Sequence, residues 1–130
     1  MDLYLDEAAR VLRDPDTGDV GRDLREIAAM VVRLQTRTVA GPAFVGLMSE
    51  AHADRETFSA FTARRRELTR RVLERGMSRG QLRRDTDIDL VIDALGGAVT
   101  FRLLQGHAPL GRRFTDSLID LILQGCEEGP

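Results

Sequence analysis

The sequence predicts an all-α fold, a helical bundle of about six helices in one domain. Apolar residues recur at intervals of three and four along the chain, and no segment alternates apolar and polar residues as a strand would. Of the 130 residues, 42% are hydrophobic and 31% are charged, which is typical of a folded domain of this length. Aromatic residues are few and tryptophan is absent, so we expect a core of Leu, Val, Ile, Ala and Met.

The first two helices are predicted on either side of an acidic turn. A short amphipathic helix over 3–13 stops at Asp14-Pro15, because the residue before a proline resists the helical conformation. The turn DPDTGD follows, and Asp16 or Thr17 is predicted to cap a helix that runs to about Thr38. The buried stripe of this second helix is predicted to comprise Leu24, Ile27, Ala28, Val31 and Leu34.

The third and fourth helices are bounded by proline, aspartate and glycine. Gly41-Pro42 begins the third helix, because proline is favoured at the first helical position, and this helix ends near Ala53. Asp54 is predicted to cap a fourth helix over about 55–79, and Gly80 is predicted to end it.

The last two helices follow the segment RRDTD. Asp85 or Thr86 is predicted to cap a fifth helix that runs to about Gln105. The turn GHAPLG then leads into a sixth helix over about 112–124, and residues 126–130 are expected to form a frayed tail.

The fifth helix is apolar over an unusually wide part of its circumference. Asp89, Asp93 and Thr100 fall on one narrow stripe, and the rest is almost entirely apolar or Gly over roughly 260°, against the ~100° usual for a surface helix. We expect such a helix to contact its own core on one side and another chain on the other. Gly96 and Gly97 are interpreted as places where a second backbone comes close. The alternative is a monomer in which this helix is central.

The sixth helix has a similar but narrower apolar face, and the two helices together are predicted to form a four-helix interface in a homodimer. Large apolar faces on small domains usually mark such interfaces. The predicted interface residues are Leu95, Ala98, Val99, Arg102, Leu118, Ile119 and Ile122.

Composition and motifs argue against several functional classes. The net charge of −2 does not suggest a nucleic-acid-binding surface. His52 and His107 lack partners at metal-ligand spacing, and neither a catalytic triad nor a phosphate-binding loop is present. We therefore expect no catalytic residues, no metal, no cofactor and no enzymatic activity. A single cysteine, Cys126, and the absence of a signal peptide or a bilayer-length apolar run indicate a cytoplasmic protein without a membrane partner.

Nine arginines lie between residues 64 and 84, with Glu67 and Glu74 as the only carboxylates before Asp85. On a helical wheel these arginines lie on both sides of the fourth helix and have carboxylates within a turn. A solvated helix face is therefore favoured over a track for phosphates.

Two segments resemble a known family. PDTGDVGRDLREIA, from residue 15, and RGQLRRDTDIDLVIDALGGAVTFRLL, from residue 79, resemble the C-terminal regulatory domain of TetR-family transcriptional repressors. The turn Gly-x-Leu-Arg-x-Asp-x-Asp before a Gly-containing apolar helix is common in that family, and FTDSLIDLIL resembles its last helix. The resemblance extends over about residues 3–124. It implies an all-α ligand-binding domain that dimerises through its last two long helices.

The resemblance also implies a domain organisation. Residues 1–13 would be the end of a linker helix from an N-terminal helix-turn-helix domain that is missing here, and 14–125 would bind an effector and dimerise. DNA would be bound only through the missing domain, and a small, mostly apolar effector would shift the DNA-binding competence of the parent repressor. The alternative is a stand-alone helical dimerisation or interaction module that does not bind DNA.

A ligand pocket is predicted among the second to fifth helices. Arg65 falls in the middle of an apolar stripe of the fourth helix, where a guanidinium needs an acceptor. It is expected to extend its charged end to solvent, to pair internally, for example with Glu50, or to anchor an acidic effector if it points inward without a partner. The predicted lining comprises Met30, Leu34, Phe44, Met48, Phe61, Arg65 and Phe101.

Overall fold

A computed structural model describes residues 2–50 and 55–126, and six α-helices account for most of these two ranges. No strand occurs in them, so the all-α prediction is confirmed. None of the described helices is both long enough and apolar enough to cross a membrane. The helices are α1 (Asp2–Val11), α2 (Val20–Arg37), α3 (Ala40–Ser49), α4 (Arg55–Ser78), α5 (Ile88–Gln105) and α6 (Arg112–Cys126).

Helix α2 is the centre of the bundle, because it packs against each of the other five helices. Five residues on one side of α2 are at most 2% exposed, and they are the residues predicted for its buried stripe. Their burial removes about 1.5–3 kcal/mol of unfavourable hydration for each large aliphatic side chain. The confirmed stripe comprises Leu24, Ile27, Ala28, Val31 and Leu34.

Helices α2 and α4 are tightly packed where α2 begins. A Cβ atom on Gly76 would lie 2.7 Å from Cγ2 of Val20, so only glycine fits here without a shift of the backbone. The same region is tied by the side chain of Gln81, which accepts a hydrogen bond from the Val20 amide and donates one to the Gly18 carbonyl. The start of α2 is therefore held against the end of α4.

The caps of α2 and α5 differ from those predicted. The side chain of Asp19, not that of Asp16 or Thr17, accepts a hydrogen bond from the Arg22 amide at the start of α2. Thr17 lies in the preceding turn, where its hydroxyl donates to the buried carboxylate of Asp23. The predicted turn therefore continues for two more residues before the helix begins.

The same displacement occurs before α5. The side chain of Asp87 accepts a hydrogen bond from the Leu90 amide and caps the helix, so the predicted caps Asp85 and Thr86 are wrong. Thr86 is buried, and its hydroxyl donates to the Arg83 carbonyl 2.6 Å away. Because several polar residues in each turn can cap, the choice depends on which side chain is already engaged elsewhere.

The other helix boundaries lie within a few residues of those predicted. Helix α3 begins at Ala40, just before the predicted Gly41-Pro42, and α4 ends at Ser78. Gly80 follows with a φ of 74°, a left-handed conformation that favours glycine, so the predicted stop is confirmed. The predicted end of α3 at Ala53 and the predicted cap Asp54 lie outside the described residues.

A cluster of carboxylates around Arg75 joins the α1–α2 turn to α4. Both terminal nitrogens of Arg75 donate to Asp14, at 2.8 and 2.6 Å, and its Nε lies 3.4 Å from Asp16. The Arg75 guanidinium lowers the pKa of the Asp14 carboxyl below its ordinary value. The pair therefore stabilises the fold above that ordinary pKa and is lost as the pH falls through the lowered one.

The contact between Gly76 and Val20 generates a stability prediction. Gly76→Ala is expected to lower the free energy of unfolding by about 1–3 kcal/mol, because the added methyl group overpacks the α2–α4 contact. The matched control is Gly46→Ala in α3, where a Cβ would meet nothing within 4 Å and stability should rise by about 0.5–1 kcal/mol. Urea unfolding followed by circular dichroism measures both, and equal effects of the two substitutions would contradict the prediction.

Candidate functional site

A cavity of about 230 Å³ lies between α3, α4 and α5. Its deep end is formed by buried residues, and its outer end by exposed or half-buried ones. The side chain of Phe44 enters it from α3, while α4 and α5 supply the remaining walls. The lining comprises Phe44, Phe58, Thr62, Arg65, Arg66, Asp93, Gly96, Gly97 and Thr100.

The guanidinium of Arg65 lies at the inner wall of this cavity, against the backbone of α5. A Cβ on Gly96 would be 3.0 Å from both Cζ and an Nη atom of Arg65, so the missing side chain of Gly96 makes room for the guanidinium. Gly97 has open space around its Cα and is exposed. In this chain Gly96 thus receives an arginine from the same chain, and not the second backbone that we expected there.

The side chain of Arg65 has no hydrogen-bonding partner among the described residues. Its Nε is shielded from solvent and unpaired, and no ion pair is formed by its terminal nitrogens within these residues. Glu50, the internal partner considered from the sequence, is exposed at the end of α3 and makes no ion pair with it. Burial lowers the pKa of Arg65 from its ordinary value. The guanidinium therefore carries donors that the described residues leave unused.

Two further buried polar groups adjoin Arg65. Tyr4, on α1, is 4% exposed, and burial raises the pKa of its phenol, opposed by the nearby charge of Arg65 and by a hydrogen bond with the side chain of Gln35. The Oε1 atom of Gln35 is itself buried without a partner. Unpaired buried polar atoms are rare in folded proteins and often mark functional sites.

The outer rim of the cavity carries charges that are already paired. Arg66 donates to Asp93 at 2.8 Å across the α4–α5 contact, and Arg70 donates to Asp89 at 2.6 Å one turn further along. These four side chains are 35% to 67% exposed, so their ion pairs contribute little to stability. The pairing leaves Arg65 as the arginine of the cavity wall whose charge is uncompensated at hydrogen-bonding distance.

Of the residues predicted to line a pocket, the structure brings two together at this cavity, Phe44 and Arg65. Leu34 and Phe61 belong to the core beside it, and the ring of Phe61 packs edge-on against Tyr4 at a centroid distance of 4.3 Å.

The other three predicted pocket residues lie elsewhere. Met30 faces the end of α1, where its sulfur accepts a hydrogen bond from the Arg13 amide, and Met48 packs against the core from α3. Phe101 is 60% exposed and contacts His107 in the following turn, so it does not line the cavity. His52, the other histidine considered, lies outside the described residues. The pocket was predicted among α2 to α5, but no residue of α2 lines this cavity, and spacing did not tell which turns of α3, α4 and α5 face it.

Several lining residues were not identified from the sequence. Phe58, Thr62 and Thr100 border the cavity, although Thr100 had been grouped with the wet stripe of α5. The two residues on α4 could have been found from their spacing, because Phe58 and Thr62 lie seven and three residues before Arg65 on the same side of the helix.

Another cavity, of about 250 Å³, lies between α2 and the start of α6. Arg33, Arg37 and Arg112 border it, all three exposed, and Arg112 is paired with Glu26 at 3.0 Å. Because its charged groups are solvated, their electrostatic interactions with a ligand would be weaker than those made in the cavity at Arg65.

The outer side of α5 bears a continuous apolar stripe. Five residues spaced three or four apart are exposed there, and the three largest of them, Leu90, Phe101 and Leu104, are 47% to 63% exposed. Leu121 of α6 is 69% exposed. We refer to these six residues as the outer stripe: Leu90, Ala94, Gly97, Phe101, Leu104 and Leu121.

Three of the residues predicted for a dimer interface belong instead to the interior of the chain. Leu95, Val99 and Ile119 are at most 1% exposed and pack in the core. The wide apolar arc of α5 therefore divides into an inner face, which contains these residues, and the outer stripe. The width of the apolar arc predicts that α5 has both a core-facing side and an exposed apolar side, but it does not tell which residues belong to each side.

The remaining predicted interface residues are half-buried where α5 and α6 meet. Ala98, Leu118 and Ile122 lie at this boundary. Arg102 places its guanidinium 3.9 Å from the centre of the Phe114 ring and donates to the Pro109 carbonyl. Arg102 therefore braces the α5–α6 connection.

Most of the arginines between residues 64 and 84 pair with carboxylates from four sources: α5, α4 itself, and the turns that follow α1 and α4. This agrees with a solvated face and not with a phosphate track. The pairs are Arg66–Asp93, Arg70–Asp89, Arg71–Glu67, Arg75–Asp14 and Arg83–Asp85.

The protein-family model described as "Tetracyclin repressor-like, C-terminal domain" matches residues 14–122, most of the chain. The chain belongs to the TetR family of transcription regulators. The match includes α2 to α5 and most of α6, so the cavity and the outer stripe both lie within the TetR C-terminal domain.

Two individual TetR-type proteins are similar to this chain. The uncharacterized HTH-type transcriptional regulator YdeS of Bacillus subtilis (strain 168) is 31% identical over 108 residues, which are 80% of this chain and 54% of YdeS. The crystal structure of the TetR family transcription regulator SCO0332 superposes with a TM-score of 0.79 at 32% identity, over 95% of this chain and 69% of that one. The chain thus spans about half the length of the curated relative that it matches.

The unpaired state of Arg65 generates a stability prediction. Arg65→Met is expected to raise the free energy of unfolding, by up to about 1–3 kcal/mol, because it removes a buried donor group that has no partner. The control on the same helix is Arg75→Met, which breaks the two hydrogen bonds to Asp14 and should lower stability by about 1.5–3 kcal/mol. Thermal unfolding checks both, and a marked fall in Tm for Arg65→Met would show that Arg65 holds an internal acceptor.

Proposed function

We propose that this chain is the effector-binding and dimerisation domain of a TetR-like transcriptional repressor, in which a small molecule shifts the DNA-binding competence of the parent protein. The observation that carries the proposal is the cavity at Arg65, whose wall combines two aromatic rings with an arginine side chain that has no acceptor among the described residues. Ligand sites typically have this composition, mostly apolar with a few convergent polar atoms. DNA is bound through an N-terminal domain of the parent protein.

Helix α1 links the cavity to the rest of the parent protein in this proposal. Tyr4 packs against Phe61 and lies 6.4 Å, centre to centre, from the ring of Phe44, which lines the cavity. A ligand that displaces Phe44 or Arg65 therefore acts on a side chain of α1. If the ligand binds one position of α1 more tightly than another, it shifts the population between them.

The outer stripe supports dimerisation. Five apolar or glycine residues are exposed along one face of α5, and Leu121 is exposed on α6; apolar faces of this kind usually mark interfaces between subunits. Two copies related by a twofold axis would bring α5 and α6 of each chain together as a four-helix contact. The proposed homodimer thus uses the outer stripe instead of the buried residues Leu95, Val99 and Ile119.

The proposal assigns no enzymatic activity to the chain and places the parent repressor in the cytoplasm, where DNA is available. The single cysteine, Cys126, is buried, and burial raises the pKa of its thiol, so it is a poor nucleophile.

Filling the cavity tests effector binding. A panel of small aromatic and aliphatic compounds, charged and neutral, is screened by thermal shift against the wild-type chain and Thr100→Phe. Compounds that raise the Tm of the wild type are expected to lose that effect in Thr100→Phe, because the larger side chain occupies part of the 230 Å³. Gln105→Phe, on the exposed end of α5, is the control and should leave the shifts unchanged. Compounds that stabilise all three proteins equally would place binding elsewhere.

Sedimentation equilibrium tests the homodimer. Phe101→Glu and Leu121→Glu are expected to convert a dimer into a folded monomer, because each places an unpaired charge in a symmetric apolar contact. Val39→Glu alters an exposed apolar residue away from the outer stripe and should leave the dimer intact. Leu95→Arg should instead unfold the chain, since Leu95 is 1% exposed in its own core. A monomeric wild type would refute the interface.

A further inference from the structure

We infer that the cavity between α3, α4 and α5 binds a small monocarboxylate with an apolar body, and that the guanidinium of Arg65 binds its carboxylate group. This inference rests on the proposed effector-binding function and specifies the chemical class of the ligand. The observation behind it is that the inner wall of this cavity, beside the rings of Phe44 and Phe58, carries an arginine whose side chain has no acceptor among the described residues.

The donors of Arg65 are arranged for an anion. A guanidinium presents its N–H groups as a planar fork that matches the two oxygens of a carboxylate, and it stays charged at neutral pH. The Nε of Arg65 is shielded from solvent, so the terminal nitrogens of the guanidinium are the donors that a carboxylate in the cavity would reach. Gly96 keeps the fork in place, because any larger residue would contact the guanidinium.

The charges around the cavity favour a ligand with a single negative charge. Arg66, the other arginine of the wall, is already engaged by Asp93 at 2.8 Å. Asp93 also lines the cavity and would repel a second negative charge on the ligand. Among the described residues, the wall thus has one arginine without an acceptor beside one carboxylate, which suits a monocarboxylate better than a phosphate dianion.

The remaining walls define the body of the ligand. The rings of Phe44 and Phe58 lie 5.9 Å apart, centre to centre, and form an aromatic side of the cavity. The hydroxyl of Thr62 is directed to backbone carbonyls of its own helix, at Phe58 and Ser59, and so makes no demand on a ligand. The volume of about 230 Å³ is below the ~300–1,000 Å³ of pockets for drug-sized molecules, so the apolar body is one ring or a short chain.

Calorimetric titration with paired carboxylates and amides tests the inference. Benzoate, phenylacetate and hexanoate are each compared with the neutral amide of the same skeleton, at constant ionic strength, using the complete 130-residue chain. At least one carboxylate is expected to bind wild type about tenfold or more tightly than its amide, because the charge-assisted hydrogen bonds are made by the acid alone.

Variants of the inner wall identify the anchor. Arg65→Met is expected to lose the preference for the acid while keeping whatever binding the amide shows, and Arg65→Lys to restore part of it. Gly96→Ala should also weaken the acid, because the methyl group displaces the guanidinium. Arg71→Met, an exposed arginine of α4 paired with Glu67, is the matched control and should titrate like wild type.

Each other outcome overturns the inference, and it does so separately from the proposed function. Amides that bind as well as their acids, and that are lost in Thr100→Phe, would uphold an effector cavity but show that it is not selective for anions. Acid binding that is unchanged by Arg65→Met would place the anion site elsewhere. If no carboxylate binds wild type, the ligand class is wrong, whereas the effector cavity is then judged from the neutral and cationic compounds of the thermal-shift panel.

Discussion

The burial of α2 is the constraint on which the rest of the structure depends. A helix that contacts all five others needs an apolar surface wide enough for each of them, and Leu24, Ile27 and Val31 supply its innermost part. Since α2 is in the centre, α4 and α5 must pack around it and against each other. The position of Gly76 against Val20 shows how little freedom remains at this contact. The place where α4 meets α5, and hence the cavity, follows from this arrangement.

The contact between α4 and α5 explains why the cavity has one uncompensated charge. At the outer edge of this contact, exposed aspartates of α5 reach the arginines of α4, as in the pair of Arg66 and Asp93. The preceding residue, Arg65, lies deeper in the contact and faces Gly96, which has no side chain that could accept a hydrogen bond. At the surface of this contact Arg66 and Arg70 are paired with aspartates, whereas the side chain of Arg65 has no acceptor among the residues that the structure describes. That difference arises from the local sequence of α5 and not from a general excess of positive charge.

Helical periodicity was sufficient to predict the six helices, the buried stripe of α2 and the unusual position of Arg65. It was insufficient where a choice depended on three-dimensional neighbours. Asp87 caps α5 because Thr86 is engaged by the Arg83 carbonyl, which no local rule reveals. Likewise, the apolar arc of α5 is as wide as predicted, but Leu95 lies inside because α2, α4 and α6 cover that side. Spacing identifies faces, whereas assigning a face to the core or to a partner requires the packing of the other helices.

Arg65 and Arg75 lie on the same helix but differ in their hydrogen bonds. Arg75 has two hydrogen bonds to Asp14 and connects α4 to the turn before α2, so its charge stabilises the fold. Arg65 lies ten residues earlier, loses hydration on burial and gains no hydrogen bond from the described residues in return. A buried donor without an acceptor costs about 1–3 kcal/mol, which a methionine of similar length would avoid. The described part of the fold supplies no acceptor for the Arg65 side chain, whereas the proposed anionic ligand would supply one.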